Sequence, residues 1–405
     1  MTSGLDRDVA AEALAALGTA AGRVDPYPHY ARLRSLGPAV TAPDGMLMLT
    51  GYRLCSAFVR DHRLQKRPEQ VLLAAGHHDW RERPSLRLMY TSILMLNAPA
   101  HTRLRRLVSS AFTARRIADL RPAVERITGE LCERLDGAMD FVTEFAFPLP
   151  VTVIGELLGV PSADRPMFQT LVRDWTMVLD ELTPAVVDRA DAAAVIIRDY
   201  LAELAETRRA EPADDLISAL AAARGGAEAL DAEELVAMAA LLLAAGFETT
   251  TGLLANGLLA LLEEPGQAAR LRAEPGLATP AVEELLRYDS PVQLLSSRSA
   301  PDDLTIAGID FAGGQRVVAL LGAANRDPAV FREPDRLILD RAEEPPLSFG
   351  GGAHYCLGAP LARLEAQVAF PMLLSRFPRL ALAGVPVFRP GLALHGYTSL
   401  PVDTN

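Results

Sequence analysis

Apolar residues recur along this chain at three- and four-residue spacing within Ala- and Leu-rich stretches, and Pro- and Gly-rich breaks separate them. The period predicts helices near 120–135, 190–209, 231–264 and 280–288. The strongest is 231–264: Asp231 followed by Glu234 offers an N-cap acceptor and its reciprocal partner, and Pro265-Gly266 closes the segment. About 50 Å of helix follows at ~1.5 Å per residue. Strand patterns are short, at 46–49, 304–306, 316–321 and 397–402. The expected fold class is therefore mainly α with minor β sheets. No internal repeat or dividing linker interrupts it, so residues 1–405 read as a single domain. The least patterned windows are 67–86, which mixes Pro68, Gly76, Pro84 and two histidines and reads as a long loop, and 350–358.

Composition narrows the classes. Acidic residues outnumber basic ones, with a net charge of −11 over 405 residues, which argues against general attraction to nucleic acid or anionic lipid. Three cysteines, Cys55, Cys132 and Cys356, include no C-x-x-C pair, which argues against a disulfide scaffold and a zinc ribbon. The start lacks a basic segment followed by an apolar one. The longest apolar run, Leu235 to Phe247, is short for a membrane span and ends at Glu248. A cytoplasmic protein with no membrane anchor is the expectation.

Chemistry concentrates at Phe349-Gly350-Gly351-Gly352-Ala353-His354-Tyr355-Cys356-Leu357-Gly358, followed by a helix-compatible run. Three glycines let the main chain approach a flat ligand. Cys356 falls near a helix N-terminus, where main-chain N–H groups and the helix dipole favour a thiolate. A metal ligand, a nucleophile with His354 as base, and an inert buried thiol all fit this spacing. A phosphate loop fits less well, since neither Gly-Lys-Ser/Thr nor a third dinucleotide-type glycine is present.

The pattern Phe-x-x-Gly-x-x-x-Cys-x-Gly, at Phe349, Gly352, Cys356 and Gly358, resembles the haem-ligand signature of the cytochromes P450. The resemblance extends to Glu284-Leu-Leu-Arg287, about 70 residues upstream, to Ala245-Gly246-Phe247-Glu248-Thr249-Thr250 on the long helix, and to Asn97-Ala-Pro-Ala-His-Thr-Arg-Leu-Arg105. Asn97 is also suited to cap the helix that follows.

Several assignments follow from the resemblance. Cys356 becomes the axial ligand of haem b, cradled by Phe349, Gly350 and Gly358. His101, Arg105, Arg298 and His354 become partners of the haem propionates. Glu284 and Arg287 join Arg336 in a charge network bracing the loop. Glu248 and Thr249 serve proton delivery, and Gly246, on the face of Thr249, leaves room for a diatomic ligand. Glu248, between apolar turns, requires a partner or a proton. Leu241, Leu242, Ala245, Val292, Leu294, Leu295, Thr398 and the 67–96 segment become walls for a hydrophobic substrate.

The implied activity is a soluble monooxygenase that activates O2 and hydroxylates or epoxidises a small molecule such as a polyketide, macrolide or terpenoid. Its electrons come from NAD(P)H through a ferredoxin or flavodoxin and its reductase. A peroxide-using peroxygenase and a non-catalytic haem sensor are the alternatives. The arginines at 103, 105, 106, 115 and 116 form either a solvated helix face or a dock for an acidic electron donor.

Overall fold

The computed structural model describes residues 4–109, 112–222 and 230–405. Helices dominate, and the strands are two or three residues long. The expected long helix spans Ala232–Glu263. Asp231 Oδ1 accepts from the Glu234 N–H at 2.8 Å, and Glu234 Oε2 accepts from the Asp231 N–H at 3.1 Å, so two orphan donors are satisfied at its start. Its two halves enter different hydrophobic clusters. Leu235 to Phe247 pack with helix Pro184–Ala210 and with Val151, Ile154 and Leu158 of helix Pro148–Leu158. Leu253 to Leu261 pack with helices Arg121–Arg134, Ala278–Tyr288 and Ala359–Arg376. Glu248, Thr249 and Thr251 lie at the seam. By length and composition this helix could cross a membrane, yet 61% of its most apolar window is buried by the rest of the protein.

A five-stranded sheet runs in the order Ala39–Thr41, Leu47–Leu49, Val317–Ala319, Arg298–Ser299, Gln65–Lys66. Its register sets Arg298 opposite Val317 on one side and Lys66 on the other. The expected 397–402 strand is two: Tyr397–Ser399 pairs with Val387–Phe388, and Pro401–Asp403 lies between Ala138–Asp140 and Ala381–Leu382.

Two local expectations are corrected. The 67–86 window contains helix Pro68–Ala74 and the start of helix Pro84–Tyr90. A proline in the first turn gives up an N–H that would be unpaired anyway, so these residues start helices rather than break them. Asn97 is not a cap: its Oδ1 accepts from the Lys66 N–H at 2.9 Å and its Nδ2 donates to the Lys66 carbonyl at 2.8 Å, pinning the edge strand. Cys55 and Cys132 are buried core thiols.

Candidate active site

The cysteine loop is a tight structure fixed by main-chain bonds. The Cys356 N–H donates to the Phe349 carbonyl at 3.0 Å, and the Tyr355 N–H to Gly352 at 3.1 Å. Gly350 (φ 67°) and Gly352 (φ 63°) occupy left-handed backbone. A Cβ at Gly352 would stand 2.7 Å from the Val59 carbonyl, whereas the space beside Gly350 is open. Burial pushes the Cys356 thiol up, and the Gly358 N–H, Arg105, the Ala359 N–H and Arg363 pull it only part of the way back. The N–H groups at the helix start thus favour the thiolate, as the sequence predicts, without prevailing. Desolvation outweighs these dipoles and charges, and a bound metal would supply the missing positive charge.

Behind the loop, Glu284 and Arg287 meet through paired bonds of 2.6 and 2.8 Å, with both side chains 1% exposed. The third arginine is Arg341, not Arg336: Arg341 Nε donates to Glu284 Oε2 at 2.9 Å. Arg336 turns its side chain outward to Glu333 at 67% exposure and contributes only its carbonyl, which accepts from Arg287 and Arg341 at 3.1 Å each. Arg287 also donates to the Asn325 carbonyl, and the Asn325 side chain holds the Leu347 N–H at 2.7 Å and Ser348 Oγ at 2.9 Å. The charge network thus reaches the residue before Phe349.

One cavity of about 840 Å³ gathers most of the expected groups, among them Cys356, Phe349, Gly350, Gly358, Glu248 and Thr249. His101, Arg105, Arg298 and His354 line it together, with the two imidazoles 3.9 Å apart. Arg105 also donates to the Tyr355 carbonyl at 2.7 Å. Burial pushes His101 down to about 4 and His354 to about 2, and neighbouring cations add to both shifts. Arg298 keeps a buried Nε without a partner.

Lys66 joins this cluster and has no counterpart in the family motifs. A sequence signal for it existed, because it is the chain's sole lysine. The residues fit an iron porphyrin on three counts: a thiol ligand, an orphaned guanidinium N–H within a group of basic side chains suited to two carboxylates, and a loop with open space at Gly350.

On the central helix, Ala245 is exposed to this cavity, with Leu241 and Leu242 beside it. Gly246 lines the cavity as expected, and its bare backbone has a second use: a Cβ there would meet Ile154 Cγ1 at 2.6 Å, so its missing side chain also admits the neighbouring helix. Ala245, four residues before Thr249, is a second small residue at the cavity wall. The Thr249 hydroxyl donates to the Ala245 carbonyl at 3.0 Å. Glu248 has the partner its burial demands, Arg389 Nη1, and Arg389 Nη2 donates to Thr176 at 3.0 Å.

Val292, Leu294 and Leu295 line the same cavity, as do Met89, Tyr90 and Leu94 from the 67–96 segment. Thr398 does not. Its hydroxyl donates to the Val387 carbonyl at 3.2 Å, and it borders a separate space of about 30 Å³ behind Glu248 and Thr249, together with Arg389. The basic stretch is partly paired: Arg103 meets Glu234, Arg116 lies 3.7 Å from Asp214, and Arg115 is exposed.

Comparison with known proteins agrees with this geometry. Residues 69–383 match the family model for cytochrome P450. The polyketide biosynthesis cytochrome P450 PksS of Bacillus subtilis (strain 168) is 39% identical over 361 residues, 88% of each chain. The vitamin D(3) 25-hydroxylase of Pseudonocardia autotrophica is 42% identical over 388 residues, 93% of each chain. The crystal structure of P450BioI in complex with hexadec-9Z-enoic acid ligated acyl carrier protein superposes with a TM-score of 0.88 at 35% identity, over 95% of this chain and 99% of that one.

Proposed function

The chain belongs to the cytochrome P450 family and is a monooxygenase-type oxidoreductase. From that premise we propose that it is one haem-centred domain that inserts an oxygen atom into a hydrophobic secondary metabolite, with a polyketide, macrolide or terpenoid skeleton as the substrate class. The observation that carries this reading is the common cavity. It brings a cysteine, a cluster of basic side chains and an acid–alcohol pair to one apolar chamber. Haem, when bound through Cys356, supplies the activation of O2.

The protein's own residues perform the remaining tasks. Arg105 and Arg298 neutralise the two propionates, and His101 and His354 offer them ring N–H donors. Thr249 holds a hydroxyl at the cavity wall, and Glu248, kept in place by Arg389, stands next to it as a proton source. Leu241, Leu242, Ala245, Val292, Leu294 and Leu295 exclude water and orient the substrate. The relatives' names, covering polyketide biosynthesis and vitamin D(3), support an apolar substrate.

Electrons reach this site from NAD(P)H by way of a ferredoxin or flavodoxin and its reductase, docking at the face that carries Arg106, Arg115 and Arg116. Charge reversal at Arg115 should slow reduction and flatten its salt dependence; an unchanged rate and salt dependence would remove this face from consideration.

The decisive experiment is the spectrum of the reduced carbon monoxide complex, followed by a screen of ligands for the spin-state shift and product analysis under labelled O2. A thiolate-type band that Cys356→Ser abolishes, and one labelled oxygen atom in the product, are expected. Turnover driven equally well by peroxide without a redox partner would support the peroxygenase alternative. Ligand binding without any product would support a sensor.

A further inference from the structure

Lys66 is the single lysine of the chain; every other one of its 40 Lys and Arg residues is arginine. A lysine used for surface charge would have many equivalents. This one is buried, at 6% exposure, and lines the main cavity. Its strand pairing sets it directly opposite Arg298, so the two side chains share one face of the sheet. Like charges so placed are destabilising unless an anion lies between them.

The groups around it are basic on every side: Arg298 from the neighbouring strand, His101 and Arg105 from helix Ala100–Ser109, and His354 from the cysteine loop. None of the charged neighbours acting on Lys66, His101 or Arg298 is acidic. Asn97 clamps the Lys66 main chain from both directions, which fixes the point on the strand from which the amine reaches the cavity. Its Nζ donates to the Leu94 carbonyl. An ammonium has three donors, which leaves two for a further acceptor.

We propose that Lys66 holds a haem carboxylate, sharing it with Arg298 as a fifth basic partner beyond the four of the family pattern. The assignment rests on the haem reading of the cavity. It explains why an amine stands here: a compact tetrahedral donor serves the Leu94 carbonyl and a carboxylate at once, where a planar guanidinium fork would need a wider slot.

The electrostatics agree. Burial, followed by Arg298, pushes the Lys66 amine down to about 7 in the chain without an anion. A carboxylate alongside favours the ammonium and raises that value. Above about pH 7, haem uptake is therefore accompanied by proton uptake at Lys66.

Because there is one lysine, protein grown with lysine carrying ¹³C at Cε gives one lysine signal, which reports the amine's protonation directly. In the diamagnetic ferrous carbon monoxide complex the titration midpoint should lie well above the value of about 7 set by burial and Arg298 alone. In parallel, Lys66→Met should lose haem to an apomyoglobin acceptor about tenfold faster, one lost charge-assisted bond, and Lys66→Arg should fall between the two while keeping the thiolate-type spectrum. A wild-type chain without that spectrum would overturn the haem reading itself. With the spectrum in hand, a midpoint still at about 7 or wild-type haem loss in Lys66→Met overturns the Lys66 assignment alone. The titration uses the native sequence, so it decides the matter even if Lys66→Met fails to fold.

Discussion

Replacing Arg287, Arg341 and Arg336 in turn by methionine should give three well-separated stabilities, because the three guanidiniums sit in three environments. Arg287→Met leaves a fully buried Glu284 with Arg341 as its remaining cation and strips donors from the carbonyls of Asn325, Pro334 and Arg336. Breaking a buried pair from one side costs ~3–5 kcal/mol. Arg341→Met removes a charge-assisted bond of 2.9 Å to Glu284 and a longer one of 3.3 Å to Glu343 nearer the surface, while Glu284 keeps Arg287 and the Ile338 N–H, also at 2.9 Å. Its bonds to the Arg332 and Arg336 carbonyls lie near the surface, where water can replace them. The expected loss is ~1.5–3 kcal/mol.

Arg336→Met removes an exposed pair with Glu333 that water replaces, and should leave stability essentially unchanged. At ~2.1 cal/mol/K per residue, each kcal/mol shifts the melting temperature of a chain this long by roughly 1 °C. The predicted losses are then ~3–6 °C for Arg287 and ~2–4 °C for Arg341, with none measurable for Arg336. Thermal melts followed by far-ultraviolet circular dichroism, at equal haem occupancy because ligand binding itself moves the melting temperature, measure the series. A loss at Arg336 equal to that at Arg341 would refute the assignment of the third arginine.

Thr249→Ala should retain haem and substrate binding while diverting several-fold more of the consumed electrons to hydrogen peroxide; coupling equal to wild type would exclude the hydroxyl from proton delivery. Ala245→Leu places a larger side chain at the exposed small position of the cavity, and should abolish the spin-state shift with bulky ligands while preserving the carbon monoxide spectrum; unchanged affinity for the bulkiest ligand would place the substrate elsewhere. In the haem-free protein, burial together with Lys66, Arg105 and Arg298 pushes His101 down to about 4. The folded value lies below the unfolded ~6.5, so the unfolded chain takes up the proton first, and stability present at neutral pH is lost as pH falls toward about 4. Urea midpoints measured at neutral and acidic pH should therefore converge in His101→Asn relative to wild type, and an identical pH slope in both proteins would contradict this.

The long helix was legible because its capping box and terminal proline are local features, and the cysteine loop because its glycines and cysteine are neighbours in sequence. Direction was harder to read. Gly246 has the right spacing to Thr249, yet the helix that fills its empty side comes from residue Ile154, which no periodicity relates to it. Arg336 and Arg341 lie in one segment, and the choice between them is made by a chain reversal at Glu333, a non-glycine residue at φ 46°. The resemblance implies a cavity wall at Thr398, but strand pairing with Val387–Phe388 carries it to the far side of Glu248. Lys66 belongs to no motif. Composition alone marked it, through a rarity that only the position of Arg298 in the adjacent strand turns into chemistry.

The burial of that solitary lysine makes the surface of this protein unusual to reagents. Arginine-rich in place of lysine-rich, the exterior has no side-chain amine, so acylating labels and amine-coupled supports meet no lysine outside the cavity. Acylation at Lys66 requires the reagent to enter the chamber, and its rate becomes a measure of access to that interior.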